Sequence, residues 1–348
     1  MKMEQILLNK ARNVTLTAYL QGVGGEFPNI PRRPAMLVLP GGGYRMCSDR
    51  EADPVALAYA QAGFQTFVLR YSVGAHAAWP NPLEDYEQAM EMIRANAQIW
   101  NLYADKVAVI GFSAGGHLAA CAAAMARNKP NAAVLGYAVT DEATAKSCLA
   151  SAPSAVDSVD QNTCPCFLFA TRTDELVPIR NTMRFAQALE EYGVMFESHI
   201  YAYGPHGFST ADSGVLAPGT GISPRAGRWV ADSIAWLRET LGDFGAGELT
   251  APKYGSRVND DYAPRCSVDC TMARLMKNEQ ARSVLAPLMK AAQEKMAQLY
   301  GEEMTAGEEP GNAGLGANMT LRSALSYGRV PQTMIDQLDE QLRRIPNL

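Results

Sequence analysis

The chain has no long hydrophobic run, no C-x-x-C pair and no cluster of lysine and arginine, and it contains only four histidines. Each shortage removes a class of function. Without a basic run, and with a formal net charge of -5, nothing supplies the electrostatic footprint that a phosphate backbone needs, so nucleic acid is not an expected partner. The opening M-K-M-E-Q-I-L-L-N-K falls far short of a signal-peptide core or a membrane span, so the expectation is a cytoplasmic protein with no membrane partner. Seven cysteines without paired zinc spacing predict neither a disulfide framework nor a structural metal, and Cys164 and Cys166 read as small packed residues. Glycine and proline, 29 and 20 in number, are spread without a period, which excludes collagen-like and low-complexity chains.

What remains is a globular chain of 348 residues, 47% apolar, long enough for one large domain and a smaller appendage. Short apolar runs at 35–39, 64–69, 107–110, 132–137, 167–170 and 196–201 alternate with helical stretches at 54–62, 82–98, 114–126, 178–192 and 229–241. Continuous apolar strands separated by helices predict a parallel sheet covered on both faces. Residues 4–8 and 14–21 read as an antiparallel start, giving about eight strands before residue 202. The Gly-, Ser- and Pro-rich stretch from Gly204 to Arg228 has no periodicity and is the kind of long loop that carries function. A Gly-rich passage after Leu241 reads as a linker, so the expected domains are 1–245 and 255–348. The second is helical, with amphipathic segments at 271–277, 279–300 and 331–345 and a Gly-rich insert from Gly307 to Gly316, and is expected to serve as an interaction or homo-oligomerisation domain.

The most specific motif is G-F-S-A-G-G-H at Gly111–His117, lying between an apolar strand and an Ala-rich helix. This is the G-x-S-x-G elbow in its required strand–turn–helix setting, and it makes Ser113 the candidate nucleophile. Upstream, L-V-L-P-G-G-G-Y places three glycines after another core strand, where backbone N–H groups can point at a developing oxyanion; Gly42, Gly43 and Ala114 are the candidate donors. Of the four histidines, His206 in Y-G-P-H-G-F follows the last core strand and is the candidate base, whereas His76, His117 and His199 read as packing or surface residues. Asp174, in T-R-T-D-E-L-V-P after the strand at 167–170, is the candidate orienting acid, with Glu175 and Asp141 as neighbouring carboxylates. Tyr44, Trp79, Phe112 and Phe208 are candidate substrate contacts, with core packing as the competing role for each. Tyr203 and Trp229 are further aromatics near the motifs.

The order Ser113, Asp174, His206, together with P-G-G-G-Y, G-F-S-A-G-G-H, D-E-L-V-P and Y-G-P-H-G-F, resembles the α/β-hydrolase superfamily over roughly residues 1–242. P-G-G-G-Y followed by S-D-R-E and V-L-R-Y-S-V is similar to bacterial serine esterases of the acetyl xylan esterase type. The resemblance implies an α/β-hydrolase fold and removal of acetyl groups from xylan-derived oligosaccharides, without metal or organic cofactor. Pro40 stands where many lipase-like relatives carry histidine, a departure from the hormone-sensitive-lipase-like branch. The same three residues would also serve a general carboxylesterase, a peptidase or a formamidase, and a non-catalytic scaffold is the alternative from another class.

Overall fold

The computed structural model describes residues 1–300 and 316–347, and it divides into two compact units, Met1–Ser256 and Arg257–Leu348. The expected Gly-rich insert from Gly307 lies outside the described residues up to Gly316. No helix among the described residues is long and apolar enough to cross a membrane.

The first unit is built on an eight-stranded sheet: β1 (Lys2–Asn9), β2 (Val14–Leu20), β3 (Arg33–Leu39), β4 (Gln65–Arg70), β5 (Leu102–Phe112), β6 (Ala132–Gly136), β7 (Cys166–Thr171) and β8 (Phe196–Tyr201). Their spatial order is β1-β2-β4-β3-β5-β6-β7-β8. β2 is antiparallel to both β1 and β4, and every other pairing is parallel. The carboxyl ends of β3 to β8 therefore share one edge, and the loops that leave it carry the candidate site residues.

Apolar runs replace alternation in the central strands because both faces are covered. Along β3, Leu37 and Leu39 join one core cluster while Met36 and Val38 join the other, all fully buried. The first face is covered by α2 (Asn81–Ala95) with Tyr86, Met90 and Ile93, by α3 (Ser113–Met125) with Leu118 and Ala122, and by α5 (Arg180–Glu191) with Phe185 and Leu189. The second is covered by α1 (Asp53–Gln61) with Val55 and Tyr59, and by α6 (Trp229–Leu241) with Trp229, Trp236 and Leu237. The Ala-rich sequence of α3 follows from its position: it is buried over nearly its whole length, and only small side chains let a helix approach the sheet that closely. A short α4 (Glu142–Cys148) has no counterpart in the sequence reading; its start is set by Asp141, whose side chain accepts from the Thr144 N–H.

The passage read as a linker packs instead onto the first unit. Phe244 bridges Leu249, the Thr250 amide donates to Asp243, that of Lys253 to Glu239, and that of Met195 to Ser256. Glycines there serve a tight reversal rather than a flexible tether, and the unit ends at Ser256.

The second unit holds α7 (Met272–Lys277), α8 (Glu279–Tyr300), α9 (Leu321–Tyr327) and α10 (Gln332–Leu342). Val268, Leu275, Leu285, Leu325, Ile335 and Leu342 belong to its own core. Thr271 and Thr320 cap α7 and α9 by accepting from the amides three residues on. Arg322 makes a two-pronged ion pair with Asp269, at 2.6 and 2.9 Å.

Candidate active site

Ser113 opens α3 directly at the end of β5, and its backbone sits at φ 52°, a left-handed conformation that a serine adopts at a cost of about 1–3 kcal/mol. The glycines around it make that turn sterically possible. A Cβ on Gly111 would stand 2.1 Å from the Gly115 carbonyl oxygen, and one on Gly115 would stand 2.2 Å from that of Leu39. With no side chain at either position, the chain turns sharply enough to lift Ser113 off the sheet.

His206 lies on the long loop after β8 and reaches both partners. Its Nε2 is 2.9 Å from Ser113 Oγ and its Nδ1 is 2.7 Å from Asp174 Oδ2. An ionised carboxylate only accepts, so Nδ1 carries the proton towards Asp174, and Nε2 is left free to accept from the serine hydroxyl. Asp174 is buried and its other oxygen accepts from the amides of Leu176 and Val177, each at 2.9 Å, so both oxygens are fixed. Glu175 is exposed to solvent. Asp141 is engaged away from the histidine, at the start of α4. Burial alone would raise its carboxyl, but hydrogen bonds from Thr144 and the ion pair with Arg180 hold it below the usual range.

Two threonines keep the acid and histidine loops in step. Thr171 and Thr173 donate from their hydroxyls to the Gly204 carbonyl at 2.8 and 3.2 Å, and the Gly204 amide returns a bond to Thr173 Oγ1 at 3.0 Å. Neither threonine was singled out from sequence, because the partner is a backbone group more than thirty positions away.

The glycine loop lies against the elbow. A Cβ on Gly41 would be 2.7 Å from the Phe112 carbonyl oxygen and 3.1 Å from Ser113 Cβ. The Gly41 amide is committed to Glu51 Oε2 at 2.8 Å, whereas none of the described residues accepts from the amides of Gly42, Gly43 or Ala114. Gly42, at φ 131°, closes the loop so tightly that a Cβ would meet the Met46 carbonyl oxygen at 2.2 Å. The Ala114 amide is in the first turn of α3, at the positive end of that helix.

Glu51 and Tyr137 complete the frame. Glu51 Oε1 accepts from the Tyr137 hydroxyl at 2.6 Å, and that hydroxyl oxygen in turn accepts from the Ser209 amide at 3.0 Å. The Tyr137 ring stands edge-on to His206 with centroids 5.0 Å apart. Burial raises the Glu51 carboxyl, with the donors Tyr137 and Gly41 acting in the opposite direction. The signal available in sequence was the S-D-R-E segment after the glycine loop; Tyr137 had none beyond ending an apolar strand.

The aromatic candidates separate. Phe112 and Phe208 are fully buried in the core on the α1 and α6 face, so their expected role as substrate contacts is corrected to packing. Phe112 follows Ala108 and Ile110 at strand period, which places it with them in the same core cluster. Tyr44 is buried as well, its hydroxyl 2.7 Å from His117 Nδ1. Trp79 keeps a partly exposed ring beside His117, Tyr203 is half exposed, and Trp229 is buried and stacked on Phe169 at 4.2 Å. His117 is fully buried, with Nε2 2.8 Å from the Pro153 carbonyl oxygen, and burial pushes it down to about 4. His199 stacks on Phe167 and pairs with Glu197, and His76 is exposed.

Comparison with known proteins adds an independent line. A family model described as BD-FAE matches residues 29–131. The solved structure of MGS-M1, an α/β hydrolase enzyme from a Medee basin deep-sea metagenome library, is 40% identical; the alignment covers 69% of this chain and 98% of that one, with a TM-score of 0.64. Endo-1,4-β-xylanase B of Butyrivibrio fibrisolvens is 32% identical over 211 residues, which is 52% of this chain and 33% of the relative. The acetylxylan esterase of Xylanibacter ruminicola is 30% identical over 205 residues, 52% of this chain and 42% of the relative. The chain thus spans less than half the length of the curated relatives it matches.

Proposed function

The chain belongs to the α/β-hydrolase family, and from that premise we propose that it is a serine esterase that removes acetyl groups from xylan-derived oligosaccharides. The observation that carries the proposal is His206 bridging Ser113 and Asp174 within hydrogen-bond distance of both. In this reading Ser113 Oγ attacks the acetyl carbonyl while His206 Nε2 takes the hydroxyl proton. The charge that grows on the carbonyl oxygen meets the amides of Gly42, Gly43 and Ala114, which have no partner to give up among the described residues. The bond from the acyl carbon to the sugar oxygen breaks, and His206 delivers the proton to that oxygen. Water then repeats the sequence on the acyl-enzyme, releasing acetate and restoring the serine. Asp174 holds the imidazole in its productive tautomer and stabilises it when it is charged.

The acetyl-xylan part of the proposal is supported by the names of two relatives, an acetylxylan esterase and an endo-1,4-β-xylanase. The test is acetate release from acetylated xylo-oligosaccharides by the wild type and by Ser113→Ala, run beside nitrophenyl acetate. Release that depends on Ser113 is the expected result. Turnover of nitrophenyl acetate alone would retain the serine mechanism and reject the carbohydrate substrate.

A further inference from the structure

We propose that the arginine-lined cavity between the β1–β2 turn and the loops after β3 and β4 is a subsite for a carboxylate-bearing sugar, a uronic acid carried by the oligosaccharide whose ester is cleaved; this rests on the esterase reading above. The cavity has a volume of about 370 Å³ and is lined by Arg12, Arg45, Arg70 and His76, with no acidic residue among the described residues of its wall. That volume lies within the range of roughly 300–1,000 Å³ common to small-molecule sites.

Its placement follows from the strand order. β2 runs antiparallel to β4 with Thr15 opposite Arg70, which brings the β1–β2 turn to the carboxyl end of β4. β4 is separated from β5, the strand that leads into Ser113, only by β3, the strand that feeds the glycine loop. At a strand spacing of about 4.8 Å this is roughly 10 Å along the same edge, a span that an oligosaccharide covers and a lone sugar does not. Arg45 is itself part of the glycine loop, its amide donating to the Gly42 carbonyl at 3.0 Å.

The charges differ in how they are held. Arg12 is fixed by Asp85 at 2.5 Å and lies 3.6 Å from the half-exposed Glu84; Asp85 is fully buried and also accepts from the Ser72 amide. Arg70 is paired with the exposed Asp49 at 2.7 Å. Arg45 is exposed and has no carboxylate partner among the described residues. The unpaired Arg45 guanidinium suits a single carboxylate, whose plane matches the guanidinium fork.

The experiment titrates glucuronate, xylose and inorganic phosphate into the full chain by ligand-observed NMR, with Arg45→Gln as the variant. Because Arg45 is exposed and unpaired, the substitution leaves no buried charge behind. Glucuronate is expected to bind at least about tenfold tighter than xylose, and the variant to lose about tenfold in glucuronate affinity, the scale of one charge-assisted contact. Equal binding of glucuronate and xylose, or an unchanged Arg45→Gln, overturns the proposal; phosphate displacing glucuronate at lower concentration reassigns the cavity to phosphate and also overturns it. A second arm compares KM for acetylated xylotriose with and without a uronic acid branch. A lower KM for the branched form that Arg45→Gln abolishes supports the subsite, whereas cleavage of both with the same KM rejects it while leaving the esterase reading intact. If glucuronate binds through Arg45 but neither compound is cleaved, the acetyl-xylan reading fails and the anion site stands.

Discussion

Glu51 accepts a hydrogen bond from the Tyr137 hydroxyl at 2.6 Å, and through that contact the glycine loop is joined to the loop that carries His206. One carboxylate oxygen fixes the Gly41 amide, the other fixes Tyr137, and Tyr137 receives the Ser209 amide three residues beyond the histidine.

Glu51 is therefore expected to act as a positioning residue. Glu51→Ala leaves the Gly41 N–H and the Tyr137 hydroxyl without acceptors in the interior, at about 1–3 kcal/mol each, and its denaturant midpoint should fall accordingly. Glu51→Gln keeps one acceptor and should remain folded while losing kcat more than it changes KM. A Gln variant with wild-type kcat would show that the two loops hold their places without the carboxylate.

The acid assignment separates two adjacent carboxylates. Asp174→Asn retains the oxygen that accepts from Leu176 and Val177 but removes the charge-assisted contact to Nδ1, so kcat should fall by on the order of 10⁴ with little change in stability. Glu175→Gln, at an exposed position, should be nearly silent. Comparable losses in the two variants would contradict the assignment.

Two glycines of one loop should differ in their tolerance. Gly42→Ala drives a methyl to 2.2 Å from the Met46 carbonyl oxygen and must displace the loop, so a kcat loss of roughly 10²–10³ is expected, the scale of losing an oxyanion donor. Gly43 has open space around its missing Cβ, and Gly43→Ala meets only the cost of a left-handed backbone, about 1–2 kcal/mol. Steady-state kinetics of the pair, with unfolding curves as the control, checks the contrast.

His117 predicts a pH dependence of stability. Its Nε2 donates to the Pro153 carbonyl and its Nδ1 accepts from Tyr44, so the folded state holds it neutral, and burial pushes it from 6.5 down to about 4. The unfolded chain takes up the proton first as pH falls. The contribution is thus complete above about 6.5 and is lost progressively down to about 4, amounting to about 3 kcal/mol. Urea unfolding of the wild type and His117→Gln between pH ~7.5 and ~4.5 should show a smaller acid loss in the variant. Parallel losses would mean that His117 does not control this window.

The strands and the three residues joined by His206 were legible because each depended on local chemistry: apolar runs flanked by turn residues, a glycine-framed serine, and a histidine after the last strand. Glu51, Tyr137, Thr171 and Thr173 were not, since their partners are backbone amides, carbonyls or side chains supplied by distant loops. The misreading of Phe112 has a different origin. Proximity to Ser113 suggested a role at the site, whereas strand alternation sends the residue before the elbow to the opposite face, beside Ile110 and Phe169. The passage after Leu241 misled because glycines that make a reversal look the same in sequence as glycines that make a tether.

The central claim, that Ser113 carries the acyl group, is tested most directly by mixing the protein with an acetyl ester, quenching during turnover and mapping the peptides by mass spectrometry. The account predicts one acetyl group on the peptide that contains Ser113, absent in Ser113→Ala and accumulating in His206→Ala only if acylation outpaces deacylation. Acetate release with the acetyl group on another residue, or undiminished release by Ser113→Ala, would contradict it.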